Sequence, residues 1–229
     1  MLNEVTSQNS SSIKACIFDL DGVIVDTAKY HFKAWRKMAN ALGFDFSEKE
    51  NEQLKGVSRM DSINLILKWG GVSLTEAEKL KWASQKNDWY LEFLQKMNQK
   101  EILPGALAFI QTIQKKGVRI ALGSSSKNAV LALSKVEMLH YFEVIIDGTK
   151  TTRSKPDPQV FQMGAAALDC QPAECIVFED AESGVAAALA GGFYAVGMGS
   201  PSNLGAAHLV LSSLENITIE DIISKVIRQ

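Results

Sequence analysis

The apolar positions of this chain fall into short continuous runs, separated by longer stretches in which apolar residues recur at helical spacing. Six runs have the length of a strand, and each ends in a polar or glycine-rich turn: KACIFDLDG, VRIALGSSS, FEVIIDG, ECIVFED, FYAVGMG and HLVLSS. Helices are predicted between them over residues 104–116, 126–139, 158–168 and 183–191. Strands that alternate with helices are typical of a parallel sheet covered on both faces. The pattern therefore predicts an α/β fold with a parallel sheet.

One long segment breaks this alternation. Residues 27–98 contain almost no β-branched apolar run and instead predict helices, over 28–42, 59–69 and 75–98. The segment also holds the tryptophans of the chain, which we expect to pack a small helical core: Trp35, Trp69, Trp82 and Trp89. We therefore predict an all-helical domain at 27–98, inserted into a core made of 13–26 and 99–229.

Composition and charge exclude several classes of partner. Lys and Arg number 24 and Asp and Glu 26 among the 229 residues, so the formal net charge is −2. Because positive and negative charges nearly balance, the chain has no excess of positive charge with which to bind nucleic acid or an anionic membrane surface. No segment reaches the roughly 20 apolar residues of a membrane span. We expect a monomer whose partner is a small molecule.

Targeting signals and cysteine usage bear on the location of the protein. The first twelve residues, MLNEVTSQNSSS, are polar and lack the apolar run of a signal peptide, so a disordered leader is predicted over 1–12. Cys16, Cys170 and Cys175 are odd in number, and two of them lie in apolar runs. Buried free thiols in a reducing compartment explain this better than disulfides do. We therefore expect a cytoplasmic protein.

Acidic and polar side chains follow the predicted strands at the points where the strands end. Asp19 and Asp21 follow the first strand, and Glu179 and Asp180 follow another. Lys155 lies in SKPDP, after a third strand. Ligands of open α/β sheets bind at the carboxyl ends of the strands, so we expect these groups to meet there. The polar residues that follow VRIALG are Ser124, Ser125, Ser126, Lys127 and Asn128.

Four carboxylates at one edge of a sheet repel one another. Two charges about 4 Å apart cost about 4 kcal/mol at an effective dielectric near 20. A hard cation bound through oxygen relieves this repulsion, and Mg²⁺ is the usual cation beside phosphate. For each acid taken alone, the alternative is a helix-capping role. Four acids, a lysine and a serine-rich turn at successive strand ends favour a site for Mg²⁺ and phosphate instead.

Four ordered motifs carry a resemblance to a known family. DLDGVIVD, GSSSKN, SKPDP and VFEDAESG resemble the motifs of the haloacid dehalogenase superfamily of phosphotransferases, over residues 14–199. The resemblance implies a Rossmann-like core with a helical cap after the first motif. It also implies that Asp19 is the nucleophile, which forms an acyl phosphate, and that Asp21 is the general acid/base. The Mg²⁺ ligands that it implies are Asp19, Glu179, Asp180 and the backbone carbonyl of Asp21.

The same resemblance gives roles to the remaining core residues. Ser124 and Lys155 would hold the transferring phosphoryl group, and Lys155 would also screen its charge. The Lys155–Pro156 bond is predicted to be cis, which would aim Lys155 back at the phosphoryl group. Ser125 lies in the middle of the serine turn, where the resemblance implies alanine. We therefore expect its hydroxyl group to change the contacts near the nucleophile.

Three motifs of the helical segment resemble one subgroup of the superfamily, the β-phosphoglucomutases: DTAKYHFKAW, NEQLKGVSR and QKND. These enzymes interconvert β-D-glucose 1-phosphate and D-glucose 6-phosphate through the 1,6-bisphosphate. The resemblance assigns Thr27 and His31 to the linker and its hinge, with His31 near Asp21 and Lys86. It implies that Gly56 lets the cap backbone approach the sugar. The residues implied to bind the second phosphate are Arg59, Ser126, Lys127 and Asn128.

Two other functions stay open at this point. A sugar-phosphate phosphatase would share the core motifs, because the superfamily contains many phosphatases. A phosphosugar-binding regulator would lack the nucleophile, the acid or a metal ligand, and none of these is missing. Taken alone, His31 fits a packed helix residue and Arg59 a solvated one. Their joint match to the mutase motifs favours a mutase that acts on a small sugar phosphate.

Overall fold

The computed structural model describes residues 13–227, so the predicted leader over 1–12 lies outside the described residues. The strands are β1 Ala15–Phe18, β2 Arg119–Gly123, β3 Val144–Ile146, β4 Cys175–Glu179, β5 Tyr194–Met198 and β6 Leu209–Leu211. They form one six-stranded sheet in the order β3-β2-β1-β4-β5-β6, and every pair of neighbours is parallel. The predicted α/β class and all six predicted strands are confirmed.

Helices surround this sheet. The α-helices are α1 Ala28–Ala41, α2 Glu48–Glu52, α3 Arg59–Gly70, α4 Glu76–Leu94, α5 Ala106–Lys115, α6 Ala129–Lys135, α7 Gln159–Ala167, α8 Glu182–Ala190, α9 Pro201–Leu204 and α10 Ile219–Val226. Short 3₁₀ helices span Gln99–Glu101, Leu139–Tyr141 and Pro172–Glu174. Between residues 13 and 227, no helix is both long and apolar enough to cross a membrane.

The helix predicted over 126–139 is shorter in the structure. Its beginning moves to Ala129, because the Ser126 hydroxyl accepts a hydrogen bond from the Asn128 amide at 3.2 Å and holds the preceding residues in a turn. Its end moves to Lys135, and two residues later Glu137 has a left-handed backbone with φ of 59°. The prediction missed the end because apolar residues continue after α6, at Val136, Met138 and Leu139, and it missed the start because a side-chain-to-backbone bond decides that boundary.

The long helix α4 begins as predicted and ends early. Thr75 and Glu78 form a capping box, in which each side chain accepts the other residue's backbone N–H, so the start is defined locally. The predicted segment 75–98 ends at Leu94, however. Asn98 then caps the next short helix by accepting the amide of Lys100 at 3.0 Å.

The central strand β1 defines where a ligand can bind. It pairs with β2 on one side and with β4 on the other, so the strand order changes direction at β1. In such sheets the loops beyond the two flanking strands diverge and leave a crevice at the carboxyl ends. Phe18 packs with α5, α6 and α10 on one face, whereas Ile17 packs with α7 and α8 on the other. The sheet is therefore rigidly held beneath the crevice.

Helices α1 to α4 build a separate apolar cluster above the sheet edge. Trp35, Met38, Ile63 and Ile66 are buried in it. The other three tryptophans pack against the same cluster, which confirms the expectation that the tryptophans form a helical core. The assignment of 27–98 as an inserted domain stays a prediction.

Two linkers join this helical segment to the sheet, and they contact each other. Val25 and Ile102 form an antiparallel bridge. The carboxylate of Glu101 accepts a hydrogen bond from the Tyr30 hydroxyl at 2.8 Å and is paired with Lys29. We call Lys29, Tyr30 and Glu101 the linker clasp.

All three cysteines are free and buried, as predicted. Burial raises the pKa of the Cys16 thiol far above its ordinary value. Burial, with a smaller contribution from Cys170, also raises the pKa of the Cys175 thiol to about 12.

Candidate active site

Asp19 and Asp21 lie where β1 ends. The Asp19 amide donates to the carbonyl of Phe178 at 2.9 Å, so the backbone at Asp19 continues the sheet pairing. Asp19 Oδ2 accepts the amide of Asp21 at 3.0 Å, whereas Asp21 Oδ1 is buried with no hydrogen-bond partner among residues 13–227. Burial, with the nearby carboxylates of Asp19 and Asp180, raises the pKa of Asp21 well above its ordinary value. Asp21 can therefore retain a proton and donate it.

Lys155 reaches the same point from the loop after β3. Its Nζ lies 2.5 Å from Asp19 Oδ1 and 2.8 Å from Glu179 Oε2. The Lys155–Pro156 bond is cis, which confirms the prediction. Burial disfavours the charged form of Lys155, but Asp19 and Glu179 outweigh burial and raise the pKa of this ammonium group. Lys155 is therefore a cation fixed against the predicted nucleophile.

Three acids form a cluster that can hold a metal ion. Ligand oxygens of Asp19, Glu179 and Asp180 lie within 4.8 Å of one another. Burial and the neighbouring acids raise the pKa of Glu179 well above its ordinary value, and burial raises that of Asp180 to about 6. The charge of Lys155 opposes this repulsion at Asp19 and Glu179, and the charge of Lys55 opposes it at Asp180. Hard carboxylate oxygens under mutual repulsion fit Mg²⁺. The Asp21 side chain is not part of this cluster, and the role of its carbonyl stays a prediction.

Asp180 also contacts two residues that we had not predicted in the site. Lys55 approaches from the helical segment, and its Nζ lies 3.2 Å from Asp180 Oδ2. Gly22 approaches from the turn after β1, with a left-handed φ of 74°. A Cβ at Gly22 would lie 2.1 Å from Asp180 Oδ2, so only glycine permits this packing. Lys55 lies in the motif KGVSR and Gly22 in the motif DLDG. These motifs were the sequence signal that could have placed both residues in the site.

A cavity of about 320 Å³ lies between the sheet edge and the helical segment. From the sheet side, it is lined by Asp19, Asp21, Ser124, Ser125, Ser126, Lys127, Asn128 and Asp180. From the helical side, it is lined by His31, Gly56, Arg59 and Lys86. The predicted residues that do not line it are Thr27, Lys155 and Glu179; the last two lie behind Asp19. The fold thus brings most of the predicted site residues to one space.

The serine turn is ordered by its own side chains. The Ser124 amide donates to the Ile146 carbonyl at 2.9 Å, which continues the pairing of β2 with β3. The Ser124 hydroxyl then accepts the amide of Ser126 at 3.1 Å. The backbone of the turn is therefore fixed beneath the cavity.

Lys86 and His31 form a buried pair on the helical side. Lys86 Nζ lies 2.9 Å from His31 Nδ1 and 4.2 Å from the centre of the Trp35 ring. Burial and the charge of Arg59 lower the pKa of Lys86 well below its ordinary value, and burial and Lys86 lower that of His31. A lysine ammonium has only donors, so in this contact Nδ1 of His31 is the acceptor whenever Lys86 is charged. His31 lies beside Lys86 as predicted.

Thr27 lies at the start of α1 and is fully buried. Its hydroxyl interacts with the buried hydroxyl of Tyr90, which also interacts with Ser126. Burial and the charge of Asp21 raise the pKa of Tyr90 well above its ordinary value. Tyr90 lines the cavity and stacks on His31 with 4.1 Å between ring centres, and the sequence analysis did not single it out.

Arg59 is held by a residue that sequence reasoning missed. Arg59 Nη2 donates to Asn87 Oδ1 at 2.7 Å, and Asn128 Nδ2 donates to the same oxygen at 3.0 Å. Gly56 packs against α8: its φ is 71°, and a Cβ there would lie 2.4 Å from the Ser183 hydroxyl. The helical segment therefore contacts the sheet side at both Gly56 and Asn87.

Comparisons with known proteins agree with this geometry. A profile of the haloacid dehalogenase-like hydrolase family matches residues 13–192. The chain is 40% identical to a β-phosphoglucomutase of Bacillus subtilis, over 91% of this chain and 93% of that protein. It is 30% identical to hexitol phosphatase A of Escherichia coli, over 90% of this chain and 94% of that protein. A crystal structure of β-phosphoglucomutase from Clostridium difficile superposes with a TM-score of 0.90 at 39% identity, covering 94% of this chain and 98% of that chain.

The chain therefore belongs to the haloacid dehalogenase-like hydrolase family. Within that family, the resemblance to the β-phosphoglucomutases that the three cap motifs predicted is confirmed, as is the prediction that the chain is an enzyme.

Proposed function

We propose that this chain is a β-phosphoglucomutase, which interconverts β-D-glucose 1-phosphate and D-glucose 6-phosphate through β-glucose 1,6-bisphosphate. The supporting observation is that one cavity is lined both by the acid pair, Asp19 and Asp21, and by a second set of donors, Arg59 and Asn128. A phosphatase needs to hold only the phosphoryl group that it removes. A bisphosphate needs two anion sites in one enclosed space.

In the proposed chemistry, Asp19 attacks phosphorus and an Asp19 oxygen–phosphorus bond forms. The bond from phosphorus to the sugar oxygen breaks, and Asp21 gives its proton to that oxygen. The return step reverses these roles: Asp21 takes the proton of the attacking sugar hydroxyl, and the phosphoryl group leaves Asp19. The raised pKa of Asp21 supports its role as the acid in the first step.

Charge in this transfer is handled by Lys155 and the acid cluster. Lys155 contacts Asp19, and together with Ser124 it would neutralise the equatorial oxygens of the phosphoryl group. Asp19, Glu179, Asp180 and the carbonyl of Asp21 would hold Mg²⁺. The ion would supply positive charge that brings the anionic phosphoryl group and the carboxylate together.

The helical segment 27–98 would act as a cap that excludes water. An aspartyl phosphate hydrolyses if water reaches it, so a mutase must close its site over the sugar. Thr27 and His31 lie at the linker, Gly56 brings the cap backbone to the core, and Lys86 would face the sugar hydroxyls. The residues proposed for the distal phosphate are Arg59, Ser126, Lys127 and Asn128, while Ser125 lies between the two phosphate sites. Action as a cytoplasmic monomer stays part of this proposal.

A sugar-phosphate phosphatase is the second candidate, because hexitol phosphatase A is also a relative over most of the chain. The enzyme should be incubated with β-glucose 1-phosphate, Mg²⁺ and a trace of β-glucose 1,6-bisphosphate. Glucose 6-phosphate and free phosphate should be measured on the same samples. We expect glucose 6-phosphate to form in large excess over phosphate. Release of phosphate without glucose 6-phosphate would establish the phosphatase and overturn the mutase.

A further inference from the structure

The amide oxygen of Asn87 occupies a position between the helical segment and the sheet side. It accepts from Arg59 Nη2 at 2.7 Å and from Asn128 Nδ2 at 3.0 Å. Because an arginine has donors only, the atom that faces it is the oxygen of the Asn87 amide. Asn128 must then present its NH₂ group to that oxygen. Two donors, one from each side of the cavity, therefore converge on one acceptor.

The two donors are also the ones that we propose for the distal phosphate. Arg59 is half-buried and lines the cavity, and burial lowers its pKa. No carboxylate pairs with it between residues 13 and 227, so its acceptor is a neutral amide. The guanidinium of Arg59 is charged in both contacts, but a phosphate adds its own negative charge and can accept two parallel N–H bonds, whereas the Asn87 oxygen carries no net charge. A phosphate can therefore displace the Asn87 oxygen.

We propose that Asn87 is an internal substitute for the distal phosphate of the substrate. Where no phosphate is bound, its oxygen satisfies Arg59 from the helical segment and Asn128 from the sheet side. When the substrate enters, the distal phosphate takes both donors and the Asn87 amide is released. This inference rests on the proposed function, because it takes Arg59 and Asn128 as the distal site. An asparagine suits this role because a carboxylate at position 87 would bind Arg59 more strongly and would compete with the phosphate.

The test compares two substitutions that have opposite effects. Asn87→Asp keeps the shape of the side chain and adds a charge that competes with phosphate. Asn87→Ala removes the competitor. For glucose 6-phosphate alone, titrated by calorimetry without the bisphosphate, we expect Asn87→Asp to raise Kd about tenfold or more, and Asn87→Ala to leave Kd equal or lower. In steady state, Asn87→Asp should raise KM far more than it lowers kcat.

Gln85→Glu is the matched control, because Gln85 is exposed on the same helix and gains the same charge away from Arg59. Thermal unfolding of each variant checks that it is folded. If Asn87→Asp and Asn87→Ala weaken the binding of glucose 6-phosphate equally, Asn87 keeps its contact with Arg59 and positions it. This result would overturn the proposal. So would an unchanged Kd for Asn87→Asp, an equal loss in Gln85→Glu, or failure of the wild type to bind glucose 6-phosphate. The isomerisation assay tests the mutase separately, so the inference and the proposed function can fail independently.

Discussion

The ammonium group of Lys86 is buried beside His31, Trp35 and Tyr90, and within residues 13–227 no carboxylate forms an ion pair with it. Burying an unpaired charge destabilises a folded protein, and here that cost appears as the lowered pKa of Lys86. Such a group is retained at a site where it contacts a ligand. Stability and activity should therefore respond in opposite directions when it is removed.

We predict that Lys86→Met raises the melting temperature and lowers the rate of glucose 6-phosphate formation. Methionine fills the same space without a charge, and a gain of about 1 kcal/mol corresponds to about 2–4 °C for a chain of this length. Differential scanning calorimetry and the isomerisation assay would measure both. Lys81→Met is the control, because Lys81 is exposed on the same helix and should change neither quantity. A less stable Lys86→Met protein would show that the ammonium group is paired in solution.

One carboxylate oxygen of Asp19 accepts a hydrogen bond from Lys155, and the other accepts one from the Asp21 amide. An amide at this position cannot form an acyl phosphate, so Asp19→Asn should lower isomerisation more than about a thousandfold. The same variant should incorporate no phosphoryl group from acetyl phosphate, measured by intact-protein mass spectrometry. Asp169→Asn, at an exposed left-handed position that tolerates asparagine, is the control. Near-normal turnover in Asp19→Asn would exclude the covalent mechanism.

At the scale of single residues, the sequence predicted the acids and Lys155 because each follows an apolar run whose end is visible locally. Asn87 and Lys55 could not be predicted in the same way. Their contacts with Arg59 and Asp180 depend on how the helical segment lies over the sheet, which no local pattern records. On α4, Asn87 has the same pattern as a residue of a solvated helix face, and Lys55 lies in the turn after α2.

Among the elements, the two linkers are joined by the linker clasp. Burial acts to raise the pKa of Glu101, but hydrogen bonds from Lys29 and Tyr30 outweigh it and hold that pKa below its ordinary value. A carboxyl group of this kind binds fewer protons in the folded protein than in the unfolded one. Its stabilising effect is therefore complete above the unfolded pKa of about 4.3 and is lost as pH falls through the folded pKa.

We predict that Glu101→Gln lowers the free energy of unfolding by about 1 kcal/mol at pH 7. The difference from the wild type should shrink as the pH falls below about 4, because the wild-type carboxyl is then protonated. Urea unfolding at pH 7 and at lower pH would measure it. Glu92→Gln, an exposed glutamate on α4, should show no such difference at either pH. A difference that is independent of pH would assign the effect to packing instead.

The strands could be predicted as elements, whereas their order could not. Each strand is a short apolar run that the chain shows directly, but the placement of β1 between β2 and β4 pairs residues more than a hundred positions apart, such as Ala15 with Arg119. The short helices α2, α9 and α10 were also missed. Helices α2 and α9, of five and four residues, carry too few turns to establish a periodic pattern.

For the molecule as a whole, the mutase proposal requires that the helical segment close over a sugar with two phosphates. Charge-assisted bonds to phosphate contribute on the order of 1.5–3 kcal/mol each. We predict that Arg59→Ala lowers isomerisation at least about tenfold, while slow hydrolysis of acetyl phosphate, which has no distal phosphate, falls far less. Both rates should be measured on one preparation, with Arg36→Ala as the exposed control. Equal loss of both rates would place Arg59 in folding or in the core chemistry, and loss of neither would favour the phosphatase.

The cysteines of the whole molecule have a practical consequence. Cys16, Cys170 and Cys175 are all buried in the core, so maleimide reagents should leave the folded enzyme unmodified. Cysteines introduced at two exposed positions would then react while the native thiols do not. Leu80 on α4 and Leu139 on the sheet side are 60% and 37% exposed, so a fluorophore pair attached there would report the separation of the two halves by energy transfer. The native thiols need not be removed for such an experiment, and the core that holds them stays intact.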